Sequence, residues 1–390
     1  MRPPLARRFA YASLALAALL AACGGGEEAD TTPRVQVSSL RVMGDSLADV
    51  GTFGIRFTIQ PSADNPNLTY PERISGLYGL GAGCNFFVFT GTTFAANPTP
   101  GCTNYAIGGG VINPASGGLT AGDPRAIGVQ LATATAAGNF AADELLLVDG
   151  GGNDAASLVG AYLAAGQGDI AAYTTLLGSL LSAEEINAAL ANGAEGLAAI
   201  GGTYMVALAD QFSATLTTGA LDKGAQRLAV LNAPDITLTP RFQAVLDGIA
   251  LANGGGDAGA AARAQAQALF SGWVAAFNAQ LAANFAGDSR VVVVDFYTEF
   301  QRQVANPAQY GLTNASDTAC PAVGIGDDGL PVYSFPTCTD ANLQANPPDG
   351  VSGTRWYDTW AFSDGFHPTP YGHQLLSQLI SRSLAQAGWL

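Results

Sequence analysis

The sequence has few charged side chains and almost no lysine. Charged residues make up 12% of the 390, Lys223 is the sole lysine, and the formal net charge is −15. Because such an acidic chain repels phosphate backbones, we expect no nucleic-acid partner. With only two histidines, His367 and His373, a multi-histidine metal site is excluded.

Long hydrophobic runs are also scarce, although 48% of the residues are hydrophobic. The abundant alanine raises the mean hydropathy without supplying the run of about 20 apolar residues that a membrane span needs. The 18 Phe, 12 Tyr and 4 Trp can fill a sizeable core, which excludes disorder along the whole chain.

The N-terminus has the pattern of an export signal. Arginines precede a short apolar run at residues 9–20, which leads into Cys23 through a string that resembles a bacterial lipobox. We therefore expect residues 1–22 to be a lipoprotein signal peptide, Cys23 to be lipidated and residues 23–37 to be a flexible tether. An ordinary secretory peptide with a coincidental cysteine is the alternative.

Gly24, rather than aspartate, follows the cysteine, which resembles the pattern of outer-membrane sorting. We expect an exported protein of a Gram-negative bacterium. It would be an outer-membrane lipoprotein or lie at the cell surface or in the periplasm, and secretion is a further possibility.

Four cysteines follow Cys23, an even number that favours disulfides in an exported chain. The spacing from Cys84 to Cys102 equals the spacing from Cys320 to Cys338. Of the three possible connectivities, we favour these two local bridges. A four-cysteine zinc site is the alternative, and the lack of any C-x-x-C pair disfavours it.

Short apolar runs alternate with alanine-rich, helix-favouring segments. Nearly continuous apolar runs are typical of strands buried on both faces of a parallel sheet. The predicted strands are 39–43, 144–148, 227–231 and 290–295, and the predicted helical segments are 128–143, 155–222, 241–285 and 370–387. The alternation predicts an α/β fold with a central parallel sheet covered on both sides.

Two segments interrupt this alternation, near residues 52–101 and 297–363. Both are rich in Gly, Pro, Asn and aromatic residues, and each holds or borders one of the two cysteine pairs. Long irregular segments in a compact domain are usually functional loops or lids. With these two insertions included, we expect residues 38–390 to form a single domain.

The first predicted strand is followed by Gly44-Asp45-Ser46-Leu47. A serine in a sharp turn after a buried strand can project its hydroxyl into a cleft, and ligands bind at the carboxyl edge of such sheets. The alternative is that Ser46 only caps the next helix.

Near the C-terminus, Asp364 precedes His367 by three residues. This spacing lets the carboxylate accept a hydrogen bond from Nδ1 and leaves Nε2 free. A serine needs such an oriented base because its hydroxyl is a weak nucleophile at neutral pH. The alternative is a surface turn with an incidental histidine. His373 lies one turn into the last predicted helix, and we expect it to be structural.

Two glycine-rich runs offer hydrogen-bond donors for an oxyanion. Residues 104–110 offer backbone N–H groups, and residues 149–154 follow a predicted strand and present the Asn153 side-chain amide. Tight turns are the alternative explanation for both runs. Neither completes the dinucleotide fingerprint, although residues 150–155 match its looser form ending in alanine.

In this order, residues 44–47, 104–110, 151–154 and 364–367 resemble the motifs of the SGNH or GDSL family of serine esterases and lipases. The resemblance extends over nearly all of the chain beyond the tether. It implies a three-layer α/β/α sandwich of the flavodoxin-like type. Residues 44–51 look closest to the bacterial branch with phospholipase- and haemolysin-like members.

The resemblance also implies residue roles, in which Ser46 is the nucleophile, His367 the base and Asp364 the carboxylate that orients the base. The implied oxyanion donors are the N–H groups of Ser46 and Gly109, with Gly108 as the fallback for Gly109, and the Asn153 amide. This set needs no metal and no organic cofactor.

We therefore expect a serine ester hydrolase, an esterase or lipase, that acts on an ester or lipid substrate through an acyl-enzyme on Ser46. The lipid on Cys23 would attach it to a membrane. The alternatives are a lipid acyltransferase with the same three residues and a non-catalytic surface-binding lipoprotein.

Aromatic residues in and beside the insertions are expected in part to line an apolar acyl pocket, and insertion core is the alternative for each of them. They are Phe53, Phe57, Tyr70, Tyr78, Phe86, Phe87, Phe89, Phe296, Tyr297, Trp356, Tyr357 and Trp360.

Overall fold

The computed structural model describes residues 35–81 and 83–390. The predicted signal peptide, the predicted lipidation site Cys23 and most of the predicted tether lie outside these residues. Within the described ranges, no helix is both long and apolar enough to cross a membrane.

Ten strands and eleven α-helices are present in the described residues. The strands are β1 (Ser39–Met43), β2 (Phe87–Phe89), β3 (Phe94–Ala96), β4 (Glu144–Val148), β5 (Leu228–Leu231), β6 (Val291–Val294), β7 (Asn314–Thr318), β8 (Ala322–Ile325), β9 (Pro331–Tyr333) and β10 (Trp360–Phe362). The helices are α1 (Tyr70–Leu77), α2 (Ile127–Ala134), α3 (Gly152–Gly166), α4 (Ile170–Leu177), α5 (Ala183–Ala191), α6 (Gly193–Gly219), α7 (Pro240–Ala252), α8 (Gly256–Asn284), α9 (Phe296–Ala305), α10 (Asp340–Ala345) and α11 (Pro370–Gln386).

The central sheet is parallel and has the strand order β1-β4-β5-β6. On the free edge of β1, the Val42 N–H donates to the Thr103 carbonyl and the Tyr105 N–H donates to the Val42 carbonyl, which makes a one-residue parallel bridge at Asn104. Residues 103–105 therefore lie beside β1 on one side, and β4, which comes later in the chain, pairs with β1 on the other side. This reversal is a topological switch point, where ligands of open α/β sheets bind.

Helices cover both faces of the sheet, so the predicted three-layer α/β/α architecture is confirmed. Along β4, Leu145 and Leu147 join a core with α1, α9 and α11, whereas Leu146 and Val148 join a core with α2 to α8. Successive side chains of a strand point to opposite faces, so a continuous apolar run buries both.

The strand predictions are confirmed to within one residue at each end, and the predicted long helices are subdivided. The segment 155–222 contains four helices, and α5 begins with a capping box in which Ser182 and Glu185 hydrogen-bond each other's backbone N–H groups. The segment 241–285 is interrupted after α7 by Gly254 and Gly255, whose positive φ angles end a helix.

The two insertions contain more regular structure than their composition predicts. The first holds α1 and the β2–β3 hairpin, and the second holds α9, β7, the β8–β9 hairpin and α10, with β10 pairing parallel to β7. Each insertion has one disulfide, Cys84–Cys102 or Cys320–Cys338.

Candidate active site

The turn after β1 is shaped by a carboxylate from the neighbouring strand. Asp149 follows β4 directly, and its Oδ1 accepts a hydrogen bond of 2.8 Å from the Asp45 backbone N–H. Gln130, fully buried on α2, accepts from the Gly44 N–H and donates to the Gly44 carbonyl at 2.7 and 2.9 Å. These contacts fix the backbone that leads into Ser46.

We expect Gly44→Ala to destabilise the fold by about 2–4 kcal/mol, measured as the free energy of unfolding in urea. A Cβ on Gly44 would lie 1.8 Å from Asp149 Oδ1, and Gly44 has a φ of +152° that side chains disfavour. Gly160→Ala on α3 is the matched control, because its added Cβ meets nothing within 4 Å. That change should stabilise slightly. Equal unfolding midpoints for the two variants would contradict the close approach of Asp149.

Ser46, His367 and Asp364 form a continuous hydrogen-bonded chain. The distance from Ser46 Oγ to His367 Nε2 is 2.7 Å, and His367 Nδ1 lies 2.9 Å from both carboxylate oxygens of Asp364. Asp364 Oδ1 also accepts from the backbone N–H groups of Phe366 and His367, which holds the carboxylate in the turn between β10 and α11. The structure thus joins Ser46 to a histidine and an aspartate that lie more than 300 positions further along the sequence.

The electrostatics of this hydrogen-bonded triad keep Asp364 ionised and make His367 more basic. Burial alone would lower the pKa of His367, but the charge and hydrogen bond of Asp364, with a smaller effect of Asp45, raise it above its ordinary value. Burial would raise the pKa of Asp364, and the charge of His367 with the hydrogen bonds to Asp364 lowers it. Asp364 is therefore ionised at neutral pH.

Aromatic rings enclose the imidazole. The ring centroids of Phe57 and Phe335 lie 5.1 and 5.5 Å from that of His367, and Phe366 is its chain neighbour. Phe57 comes from the first insertion and Phe335 from the second. These contacts restrict water around the base and limit the orientations of its ring.

The predicted oxyanion donors meet in one place. Ser46, Gly109, Asn153 and His367 all line a cavity of about 180 Å³ at the carboxyl edge of the sheet. In the part of the chain that the structure describes, the Ser46 and Gly109 N–H groups have no hydrogen-bond partner. Asn153 Nδ2 donates to the Gly110 carbonyl at 2.9 Å and lies 3.4 Å from Asp45 Oδ2.

The backbone favours Gly109 over Gly108 as a donor to a ligand. The Gly108 N–H already donates to Asp49 Oδ2 at 2.9 Å, and the other oxygen of Asp49 accepts from the Gly51 and Thr52 N–H groups. The Gly109 N–H, in contrast, has no hydrogen-bond partner among the described residues, and Gly109 has a φ of +78°. Asp49 thereby ties the turn after Ser46 to the glycine-rich run.

Behind Ser46 lies a buried acidic pair that no motif in the sequence predicts. Asp45 and Asp149 are both buried, and the Tyr70 hydroxyl donates to Asp149 Oδ2. Burial raises the pKa of both carboxyl groups, and the charge of Asp149 raises that of Asp45 further. Like charges in a buried site disfavour double ionisation, so we infer that the pair holds a proton at neutral pH.

The cavity is mostly apolar apart from these polar groups. Of the aromatic residues predicted to contribute to an acyl pocket, Phe57 and Phe296 line it, and Phe366 joins them. Tyr70 is instead fully buried, and Trp356, Tyr357 and Trp360 form a separate core in the second insertion. An apolar ligand group fits this lining better than a charged one.

The second histidine has a structural position. His373 is fully buried on α11, where its Nδ1 accepts from the Tyr70 backbone N–H at 3.4 Å. Burial, with the nearby charges of Arg73, His367 and Arg56, lowers its pKa to about 3. His373 therefore stays neutral.

Residues 35–81 and 83–390 contain no group of three or more His, Cys, Asp or Glu side chains that could hold a metal ion.

The chain is similar to a known protein family and to solved structures. A family model described as GDSL-like lipase/acylhydrolase matches residues 40–380, a range that includes Ser46, Gly109, Asn153, Asp364 and His367. The chain is similar to an extracellular lipase from Streptomyces rimosus, with 13% identity over 88% of this chain and 99% of that chain, and a TM-score of 0.38. A search of the curated proteins finds no match.

Proposed function

Because the chain belongs to the GDSL-like lipase/acylhydrolase family, we propose that it is a serine ester hydrolase that works through an acyl-enzyme on Ser46. The observation that carries this proposal is the 2.7 Å hydrogen bond from Ser46 Oγ to His367 Nε2, with Asp364 on the other ring nitrogen. A nucleophile, a base and a group that orients the base are then in contact.

In the first half-reaction, Ser46 Oγ forms a bond to the ester carbonyl carbon while its proton moves to His367 Nε2. The carbonyl oxygen becomes an oxyanion, which the Ser46 and Gly109 N–H groups and the Asn153 amide stabilise. The Asn153 amide would turn from the Gly110 carbonyl toward the oxyanion. The carbon–oxygen bond to the leaving alcohol then breaks, and His367 gives that alcohol its proton.

In the second half-reaction, water attacks the acyl carbon while His367 takes a proton from it. The bond to Ser46 Oγ breaks, His367 returns the proton to the serine, and a carboxylic acid leaves. Asp364 remains a carboxylate throughout and stabilises the imidazolium.

A fluorophosphonate probe tests the mechanism, because the probe reacts only with an activated serine. We expect one probe per chain, located on Ser46 by peptide mass spectrometry, and a parallel loss of p-nitrophenyl butyrate hydrolysis. Unfolding in urea before labelling should abolish the reaction. A folded protein that neither reacts with the probe nor cleaves the ester would favour a binding protein.

An alcohol added to the same assay separates hydrolysis from acyl transfer. Free acid as the main product supports the hydrolase. A transferred ester that predominates even when the alcohol is dilute relative to water would instead identify an acyltransferase.

We further propose that the chain is exported and attached to the outer membrane of a Gram-negative bacterium through a lipid on Cys23. The lipobox-like string before Cys23 supports this, and Gly24 supports the outer membrane. Residues 44–51 support a place in the branch with phospholipase- and haemolysin-like members. Membrane attachment and fatty-acid labelling that persist in Cys23→Ser cells would refute the anchor.

A further inference from the structure

The β8–β9 hairpin exposes apolar side chains beside the candidate active site. The relative exposures of Val323, Ile325 and Val332 are 57%, 67% and 44%. Among the described residues, β8 and β9 pair only with each other, and every residue of β8 is exposed. Large apolar side chains clustered on an exposed hairpin indicate an interaction surface.

The apolar side chains occupy both faces of the hairpin. The register between β8 and β9 shifts at Val323, between the pairs Ala322–Tyr333 and Gly324–Val332. Beyond this shift, Ile325 follows Gly324 and pairs with Pro331, so Ile325 lies on the opposite face from Val332. A protein partner would cover one face of such a ribbon, whereas a lipid layer can surround both.

Both the base and the turn of the hairpin are held beside the candidate active site. The disulfide Cys320–Cys338 closes the loop that carries the hairpin, and Phe335 in the same loop packs against His367. Asp328 at the turn of the hairpin forms an ion pair with Arg241 on α7, whose guanidinium lies 5.7 Å from the centre of the Phe366 ring.

A mostly apolar groove connects the hairpin with the oxyanion donors. It is lined by residues 327–331 of the hairpin, by α3 and α7, and by Gly109 and Asn153. Gly109 and Asn153 also line the cavity that contains Ser46, so the groove adjoins that cavity.

We propose that the β8–β9 hairpin inserts into a neutral or zwitterionic lipid surface and that the groove leads esters from that surface to Ser46. The second half rests on the proposed hydrolase function, and the first does not. The charge of the protein selects the type of lipid. Asp327 and Asp328 lie at the hairpin turn, Arg241 is already paired with Asp328, and the chain carries −15, so anionic lipid is repelled.

Flotation with phosphatidylcholine vesicles tests the insertion. All proteins are full chains with Ser46→Ala and Cys23→Ser, so that neither hydrolysis nor an acyl anchor contributes to differences between them. Val323→Ser/Ile325→Ser should lower the partition coefficient by about tenfold or more, because two exposed apolar side chains no longer enter the lipid. Val332→Ser alone should lower it severalfold.

The matched control is Leu77→Ser/Leu190→Ser, which removes two leucines that are 45% and 40% exposed on helices outside the hairpin. Its partition coefficient should stay within about twofold of the parent value. Unchanged partition in the Val323/Ile325 variant, or an equal loss in the control, would overturn the insertion. A third result would also overturn the insertion. In it, the parent self-associates in sedimentation, the hairpin variant alone abolishes this self-association, and vesicle binding persists.

Hydrolysis by chains with Ser46 intact separates the two proposals. The hairpin variant should cleave dissolved p-nitrophenyl acetate at the parent rate and cleave p-nitrophenyl laurate in vesicles at a rate lowered in proportion to partition. If the parent cleaves neither ester while its vesicle binding depends on the hairpin, the hydrolase fails and the lipid surface stands. Equal laurate hydrolysis by parent and variant would overturn the role of the hairpin in supplying substrate.

Discussion

Ser46→Ala is expected to lower kcat for p-nitrophenyl butyrate by about 10⁴-fold or more, because no other group replaces the attacking oxygen. The remaining rate over background would come from the oxyanion donors and from binding. The Ser46 hydroxyl is hydrogen-bonded to His367, and the residue is 8% exposed, so its loss should cost stability only about 1 kcal/mol. Initial rates and urea unfolding on the same preparation measure both effects.

Ser377→Ala is the matched control, because Ser377 is about as buried and its hydroxyl donates to a backbone carbonyl in α11. It should retain the parent kcat within about twofold. A Ser46→Ala protein that keeps more than a tenth of the parent kcat, while still folded, would exclude Ser46 as the nucleophile.

The sequence predicts the sheet well because its strands are buried on both faces. Every residue of β4 and β5 is buried, and both strands are continuous apolar runs apart from Glu144 at the start of β4. Arg41 interrupts the apolar run of β1, where it forms an ion pair with Glu144. It predicts α1 and α9 poorly, since both are short and mix polar with apolar residues. Each helix does begin with a capping residue. Glu72 accepts a hydrogen bond from the Thr69 N–H at the start of α1, and Asp295 accepts one from the Thr298 N–H at the start of α9.

The order of the motifs predicts that Ser46, Asp364 and His367 meet at the carboxyl edge of the sheet. It does not predict which residues hold these three side chains in place. Asp149 and Gln130 contact the turn after β1 only because β4 and α2 pack beside it. Tyr70 reaches Asp149 from a helix of the first insertion. Such contacts depend on tertiary packing between distant segments, and no local pattern encodes them.

Asp364→Asn should lower kcat by about 10⁴-fold and also move the pH dependence of the reaction. His367 must be neutral to accept the serine proton, so activity rises with pH through the pKa of His367. In the parent that pKa is raised above its ordinary value, chiefly by Asp364 working against burial. Removing the carboxylate leaves the burial effect, so the half-maximal activity should move to lower pH even as the maximum falls.

The direction of this shift distinguishes electrostatic support of the base from a merely structural role. Asp340→Asn is the matched control, since Asp340 is as buried as Asp364 and accepts a hydrogen bond from Tyr357 in the same insertion. Its loss can cost stability, but it does not contact His367, so kcat/KM against pH should keep the parent midpoint. A parent midpoint in folded Asp364→Asn would mean that another charge sets the pKa of His367. Asp45 is then the remaining candidate, because its charge also raises the pKa of His367 and the acidic pair keeps one negative charge when it holds one proton.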